Sequence, residues 1–187
     1  MHQHPSTRRH FLVTAPLLLT SFGCAAPPPP KLDVPYVPTP PEVVQRMLQL
    51  ARVQRNDIVY DLGCGDGRIV ITAAKQYGAR GVGIDIDPQR IREARENARR
   101  EGVSHLVEFR VADLFQSDFS EATVVTLYLL TDINRRLLPQ LWRQLRVGTR
   151  VVSHEFGMGK DWPPEHTEMP GGRRIHFWTI RPEHKSV

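Results

Sequence analysis

Asp61-Leu62-Gly63-Cys64-Gly65-Asp66-Gly67 follows Ile58-Val59-Tyr60 and leads into Arg68-Ile69-Val70-Ile71. Residues 58–60 read as a short strand, and residues 68–77 as a helix stopped by Gly78. A glycine-rich turn between a strand and a helix lets backbone approach a ligand closely and points helix N–H groups at it. The dinucleotide form of this turn spaces its glycines as Gly-x-Gly-x-x-Gly. Here the third glycine comes one residue early, at Gly67, Arg68 stands next, and an acid, Asp61, precedes the first glycine.

The chain alternates on both sides of this turn. Residues 42–51 carry Val43, Val44, Met47, Leu48 and Ala51 at helical spacing, with Pro41 suited to a first turn. Residues 81–84 read as a second strand. Asp87-Pro88 marks a helix start, with Asp as cap and Pro in first position, and that helix runs to Glu101 before Gly102. Residues 107–111 make a third strand. Residues 122–130 make a fourth, whose near-continuous apolar run suits burial on both faces. Residues 134–145 are helical, with Pro139 as the place for a bend, and residues 149–153 form a fifth strand. Residues 166–169 and 174–180 flank Pro170-Gly171-Gly172-Arg173 and read as a terminal antiparallel hairpin. The expected fold is α/β: a Rossmann-like, doubly wound, mainly parallel seven-stranded sheet ending in that hairpin. This is the shape of class I S-adenosylmethionine (SAM) methyltransferases, although fold alone does not give function.

Two further acids bear on the ligand. Asp85 ends the second strand, where a carboxylate can accept from both hydroxyls of a ribose, and Asp113 follows the third, where it can accept from an adenine amino group. Acids at the carboxyl ends of three successive strands share one side of the sheet, the side on which ligands bind in such folds. SAM has no pyrophosphate to cradle, but its methionine end carries an amino group from which Asp61 can accept. The bland reading of any one of these acids is a helix cap or turn residue, and Asp87 is better explained as a cap.

Four segments carry a narrower resemblance: Val34-Pro35-Tyr36-Val37-Pro38-Thr39, residues 61–71, Ala112-Asp113-Leu114, and Phe156-Gly157-Met158-Gly159-Lys160-Asp161-Trp162-Pro163-Pro164. Together they resemble the adenine nucleotide translocase and ATP synthase c-subunit lysine methyltransferase family, over nearly the whole domain. The resemblance implies SAM as methyl donor, held here by Asp61, Gly63, Gly65, Gly67, Asp85 and Asp113. It also implies, as partner, a protein substrate methylated on an accessible lysine and associated with a membrane. Thr126-Leu127-Tyr128-Leu129-Leu130 matches no single class of acceptor.

Methyl transfer from a sulfonium is an in-line displacement with a good leaving group, so the protein mostly supplies proximity and alignment. Tyr128, at the end of the fourth strand, is the first candidate for the wall of the transfer site. Tyr36 and Trp162 are candidates for a lid or acceptor channel, with packing as the competing role of each. Two other functions stay open: a small-molecule N- or O-methyltransferase, and a non-catalytic SAM-binding module. The absence of a sizeable insertion beyond the core sheet favours a macromolecular acceptor over a small one. No metal is expected, since His154-Glu155 lacks a second histidine at position 158, which is Met. Cys64 fills a small-residue slot in the turn.

The 187 residues are one domain's worth of chain, 40% hydrophobic and 24% charged. Net charge is +5. The arginines of residues 90–100 are interleaved with glutamates, so this helix face pairs with itself and does not read as a nucleic-acid stripe. Many of the 16 prolines crowd between Pro27 and Pro41. Residues 1–26 resemble a twin-arginine signal or anchor: Arg8-Arg9 precedes the apolar stretch 11–22, which is too short to span a bilayer. Residues 27–33 then form a stiff Pro-rich linker, residues 34–181 the methyltransferase domain, and residues 182–187 a tail. This leader implies export to, or anchoring in, the cell envelope. An early start codon and a cytoplasmic protein is the other reading.

Overall fold

A computed structural model describes residues 36–186. The signal-like leader and the whole Pro-rich linker, with Val34 and Pro35, lie outside the described residues. The chain runs α1 (Pro41–Leu50), β1 (Ile58–Leu62), α2 (Arg68–Tyr77), β2 (Arg80–Asp85), α3 (Pro88–Arg100), β3 (Val107–Val111), β4 (Val124–Leu127), α4 (Thr131–Gln144), β5 (Arg150–His154), β6 (His166–Glu168) and β7 (Ile175–Thr179). The seven strands lie in the order β3-β2-β1-β4-β5-β7-β6. The first five are parallel, and β7 is antiparallel to both β5 and β6. The expected doubly wound sheet with its terminal hairpin is therefore present.

Side-chain alternation builds a core on each face. Val59, Val124 and Val152 face α1, α2 and α3. Tyr60, Val125, Leu127 and Val151 face α4 and the tryptophans of the chain's last third. All four residues of β4 are buried, as its apolar run requires of a central parallel strand. That strand is shorter than the expected 122–130. Its register with β1 ends at Leu62, the last residue of that strand, and its register with β5 at Ser153, both opposite Leu127, while β5 runs one residue further to His154. Tyr128 and Leu129 leave the sheet there and α4 begins at Thr131, three residues before the expected start, and continues through Pro139. Asp87 caps α3 as expected, accepting from Gln89 N at 2.7 Å. The C-terminal residues are docked: Pro182–Lys185 forms a 3-10 turn in which His184 stacks on Trp142 with ring centroids 5.4 Å apart.

The sheet order reverses at β1 and β4. In open α/β sheets the ligand crevice lies outside the carboxyl ends of the strands at such a switch point.

Candidate active site

A cleft opens at that switch point, with about 1030 Å³ of empty space when its open mouth is included. Asp61, Gly63, Gly65, Asp85 and Asp113 line it, as do Tyr36 and Tyr128. Seven of the nine expected site residues thus line one cavity, and an eighth, Gly67, ends the glycine turn without lining it. The ninth, Trp162, is elsewhere.

Asp61 occupies the alternate position to Val59 on β1 and is buried. Across the β1–β4 pair it is in register with Thr126, whose hydroxyl donates to Asp61 Oδ1 at 2.7 Å. Burial pushes the Asp61 pKa up to about 7, opposed by the Thr126 hydrogen bond and reinforced by the charges of Asp85 and Asp66. A carboxyl in this state is ready to ionise beside a cation.

The turn that follows is held by β2. Gly63 N and Cys64 N donate to Ile84 O at 2.8 and 3.0 Å, and Gly65 N donates to Asp85 Oδ2 at 2.8 Å. Asp85 Oδ1 accepts from Asp87 N at 2.9 Å. Asp85 therefore braces the glycine turn, and each of its oxygens keeps acceptor capacity for a ligand. Gly65 has φ +51°, and a methyl group there would overlap Cε2 of Tyr36, so the ring lies directly on the turn. Gly67 does not line the cleft. It sits at φ +78° as the left-handed cap of α2, where an added Cβ would come within 2.6 Å of Phe109 and 2.9 Å of Ala94. Its expected contact with a ligand is replaced by close packing of α2 and α3 onto the sheet. Asp113 caps the turn Leu114–Gln116, accepting from Phe115 N at 2.9 Å and from Gln116 Nε2 at 3.1 Å, and it also lines the cleft. Cys64 is buried, and burial pushes its thiol well above the usual range, as befits a packing residue.

Residues 36–39 form a strap along one side of the cleft. Arg68 grips Asp66 through Nε (2.9 Å) and Nη2 (2.6 Å) while its Nη1 donates to Thr39 O at 2.9 Å. Arg90 lies over the Tyr36 ring, 4.5 Å from its centroid. Across the cleft Leu129 leans over Gly63, with Cδ2 2.8 Å from where a Cβ would stand.

Trp162 does not border an acceptor channel. It is 5% exposed, within an aromatic cluster 5.7 Å from Trp178 and 6.0 Å from Trp142, and its carbonyl accepts from Trp178 Nε1 at 2.9 Å. An indole buried between two other indoles is core, and packing is its role.

Three contributors were not singled out from the sequence. Thr126 is the one polar residue in β4 and faces the one acid in β1. Thr39 and Arg68 fasten the strap. The signal for Thr126 was an isolated hydroxyl in a run that otherwise reads as fully buried, whereas the strap contacts depend on tertiary placement.

The profile of the ANTKMT methyltransferase domain matches residues 61–166, from Asp61 at the floor of the cleft to the first residue of β6. The chain belongs to this methyltransferase family. A protein-lysine N-methyltransferase of Saccharolobus islandicus is 49% identical over 156 residues, covering 81% of this chain and 96% of that relative. The ATP synthase c-subunit lysine N-methyltransferase of Xenopus laevis is 38% identical over 141 residues, 75% of this chain but only 61% of its own length. A crystal structure described as an RNA methyltransferase from Salinibacter ruber, in complex with S-adenosyl-L-homocysteine, is 57% identical with a TM-score of 0.77, covering 78% of this chain and 95% of that one. The methyltransferase is SAM-dependent, and the cleft fits that donor. SAM is rich in hydrogen-bond donors (an ammonium, two ribose hydroxyls and an adenine amine), and the cleft offers carboxyl groups near the ends of β1 and β2 and just after β3.

Proposed function

We propose that this methyltransferase transfers methyl groups to the ε-amine of a lysine in a membrane-associated protein. The observation that carries this reading is the open cleft with an apolar rim. Tyr36, Val37 and Ile86, which are 41%, 54% and 38% exposed, all line it. Exposed apolar side chains gathered around a site mark a surface that meets another apolar surface. A small acceptor would need enclosure, and among the described residues no inserted segment roofs the cleft. The Saccharolobus islandicus and Xenopus laevis relatives are named for lysine methylation, the latter of a component of ATP synthase. The signal-like leader, joined to the strap by a short Pro-rich linker, adds a means of holding the mouth near a membrane.

In this reading Asp61 accepts from the ammonium of the donor, Asp85 from the ribose hydroxyls and Asp113 from the adenine amine. SAM supplies a methyl on a positively charged sulfur. The lysine nitrogen attacks that carbon in line, the carbon–sulfur bond breaks, and sulfur leaves as a neutral thioether. The chain's contribution is alignment and a dry wall. A free lysine is neutral in only about one molecule in a few thousand at pH 7. Desolvation between Tyr128, Leu129 and Ile133 favours the neutral amine. Three acids on the donor side balance the positive sulfur.

The test is transfer from labelled SAM into a washed membrane fraction and, separately, into soluble protein, total RNA and small metabolites. Label in membrane protein supports the reading. Label confined to RNA or to metabolites overturns it. In cells, a form beginning at Leu32 should methylate membrane protein less than the full chain, because tethering raises effective concentration. Equal methylation by both forms would remove the leader from the proposal.

A further inference from the structure

His154 ends β5 and is completely buried. Its Nδ1 lies 3.2 Å from Thr39 Oγ1, and its Nε2 is buried with no hydrogen-bond partner. Its ring is 3.9 Å from that of Tyr128, tilted by 40°. Tyr128 in turn stacks on Phe156 at 6.1 Å. Burial holds the imidazole neutral, with its pKa lowered to about 4. Thr39 and Tyr128 both line the cleft, one on the strap before α1 and the other beyond β4. His154 is behind both.

A buried polar atom without a partner is costly. A phenyl ring at position 154 would support Tyr128 with no orphan nitrogen. What the imidazole adds is the bond to Thr39. The backbone carbonyl of the same residue, Thr39, accepts from Arg68, whose guanidinium grips the glycine turn through Asp66. One continuous chain of contacts thus runs from the turn, through the strap, to Tyr128.

We propose that His154 is a positioning residue that couples the strap to the Tyr128 wall, so that seating Thr39 over the donor also sets Tyr128 for the acceptor. This rests on Tyr128 being the transfer wall. A neutral ring suits the place, since a second positive charge beside a sulfonium and a lysine would oppose both.

Three substitutions in the full-length protein separate the two contacts. Thr39→Val removes only the hydroxyl. His154→Phe keeps a ring against Tyr128 and loses the bond to Thr39. His154→Asn keeps a polar group near the Nδ1 position and loses the ring. Calorimetry gives SAM affinity, and labelled transfer to a washed membrane fraction at saturating SAM gives the rate. Thr39→Val and His154→Phe should each weaken SAM binding about three- to tenfold, as expected for one hydrogen bond. The double variant should be no weaker than the worse single, because both remove the same link. His154→Asn should bind SAM nearly normally and transfer at least about tenfold more slowly, a split that general destabilisation does not produce. Unchanged SAM affinity in Thr39→Val, or additive losses in the double variant, would overturn the coupling. Where His154→Phe fails to fold, Thr39→Val carries the same test. If Tyr128→Ala transfers at the wild-type rate, the wall itself is misplaced and the coupling falls with it. A slow Tyr128→Ala beside an unaffected Thr39→Val overturns the coupling alone.

Discussion

Asp61 and Thr126 are register partners on the two strands between which the sheet reverses its order, and the Thr126 hydroxyl donates to Asp61 Oδ1 at 2.7 Å. The bond fixes one carboxylate oxygen and orients the side chain in a buried position. Burial raises the pKa of this carboxyl and the bond opposes the rise. With its pKa raised to about 7, the carboxyl is partly protonated at neutral pH until a cation stabilises the charge.

The pH dependence follows with a definite sign. The ammonium of the donor favours ionised Asp61, so SAM affinity should rise with pH between about 6 and 8 and binding should release protons below about 7. For the empty protein the sign is opposite. Between the usual carboxylate range and about 7, the folded state keeps a proton that the unfolded chain has lost, so stability falls as pH rises through that window and levels off above it. Calorimetry in buffers of different ionisation enthalpy reads the proton release. Asp61→Asn is the control that cancels the titration of the ligand itself, and an identical pH profile in this variant would remove Asp61 from the effect.

Asp85 should matter twice over. Its carboxylate holds Gly65 N and Asp87 N as well as facing the cleft. Asp85→Ala should weaken SAM binding by about 1.5–3 kcal/mol, roughly ten- to hundredfold. It should also lower the melting temperature, because two backbone donors lose their acceptor. Asp85→Asn keeps one acceptor oxygen and should lose less of both. Wild-type SAM affinity in Asp85→Ala would show that the ribose is held by another group.

Gly65→Ala tests how tightly the strap covers the turn. The added methyl overlaps the Tyr36 ring at a left-handed backbone position. The cost, about 1–3 kcal/mol, falls on the seated strap. SAM affinity should drop while the sheet stays folded by circular dichroism. Gly65→Ala combined with Tyr36→Ala should recover part of the loss if the clash with the ring is its cause. No recovery would assign the loss to backbone strain at Gly65.

Trp162 should behave as core. Trp162→Ala should destabilise the fold by about 3–5 kcal/mol and leave SAM affinity of the folded fraction unchanged. Trp162→Phe should be milder on stability and silent on binding. A variant that folds normally but loses transfer would return Trp162 to the acceptor path.

The legible parts of this chain were those whose physics is local. The glycine turn, the Asp87-Pro88 helix start and the Gly78 stop each depend on a few consecutive residues, and each stands where the spacing puts it. The acids of the cleft were legible because strand ends in a parallel sheet share one side. Trp162 misled because an aromatic residue in a glycine- and proline-rich loop reads as exposed. Its burial comes from Trp142 on α4 and Trp178 on β7, partners that local sequence does not reveal. The apolar run reads as a longer β4 because apolar residues continue past Leu127, where the pairing with β1 and β5 stops. Thr126 and His154 share one cause of invisibility: each acts through a partner far away in the chain, at Asp61 and Thr39.

The most direct measurement is tandem mass spectrometry of the membrane fraction from a strain lacking the gene, after incubation with purified full-length protein and SAM carrying a deuterated methyl group. The expected result is the heavy methyl on a lysine side chain of a membrane-associated protein, present with the wild-type enzyme and absent with Asp61→Ala. Heavy methyl found only on soluble metabolites or RNA, with the membrane lysines unlabelled, would contradict it.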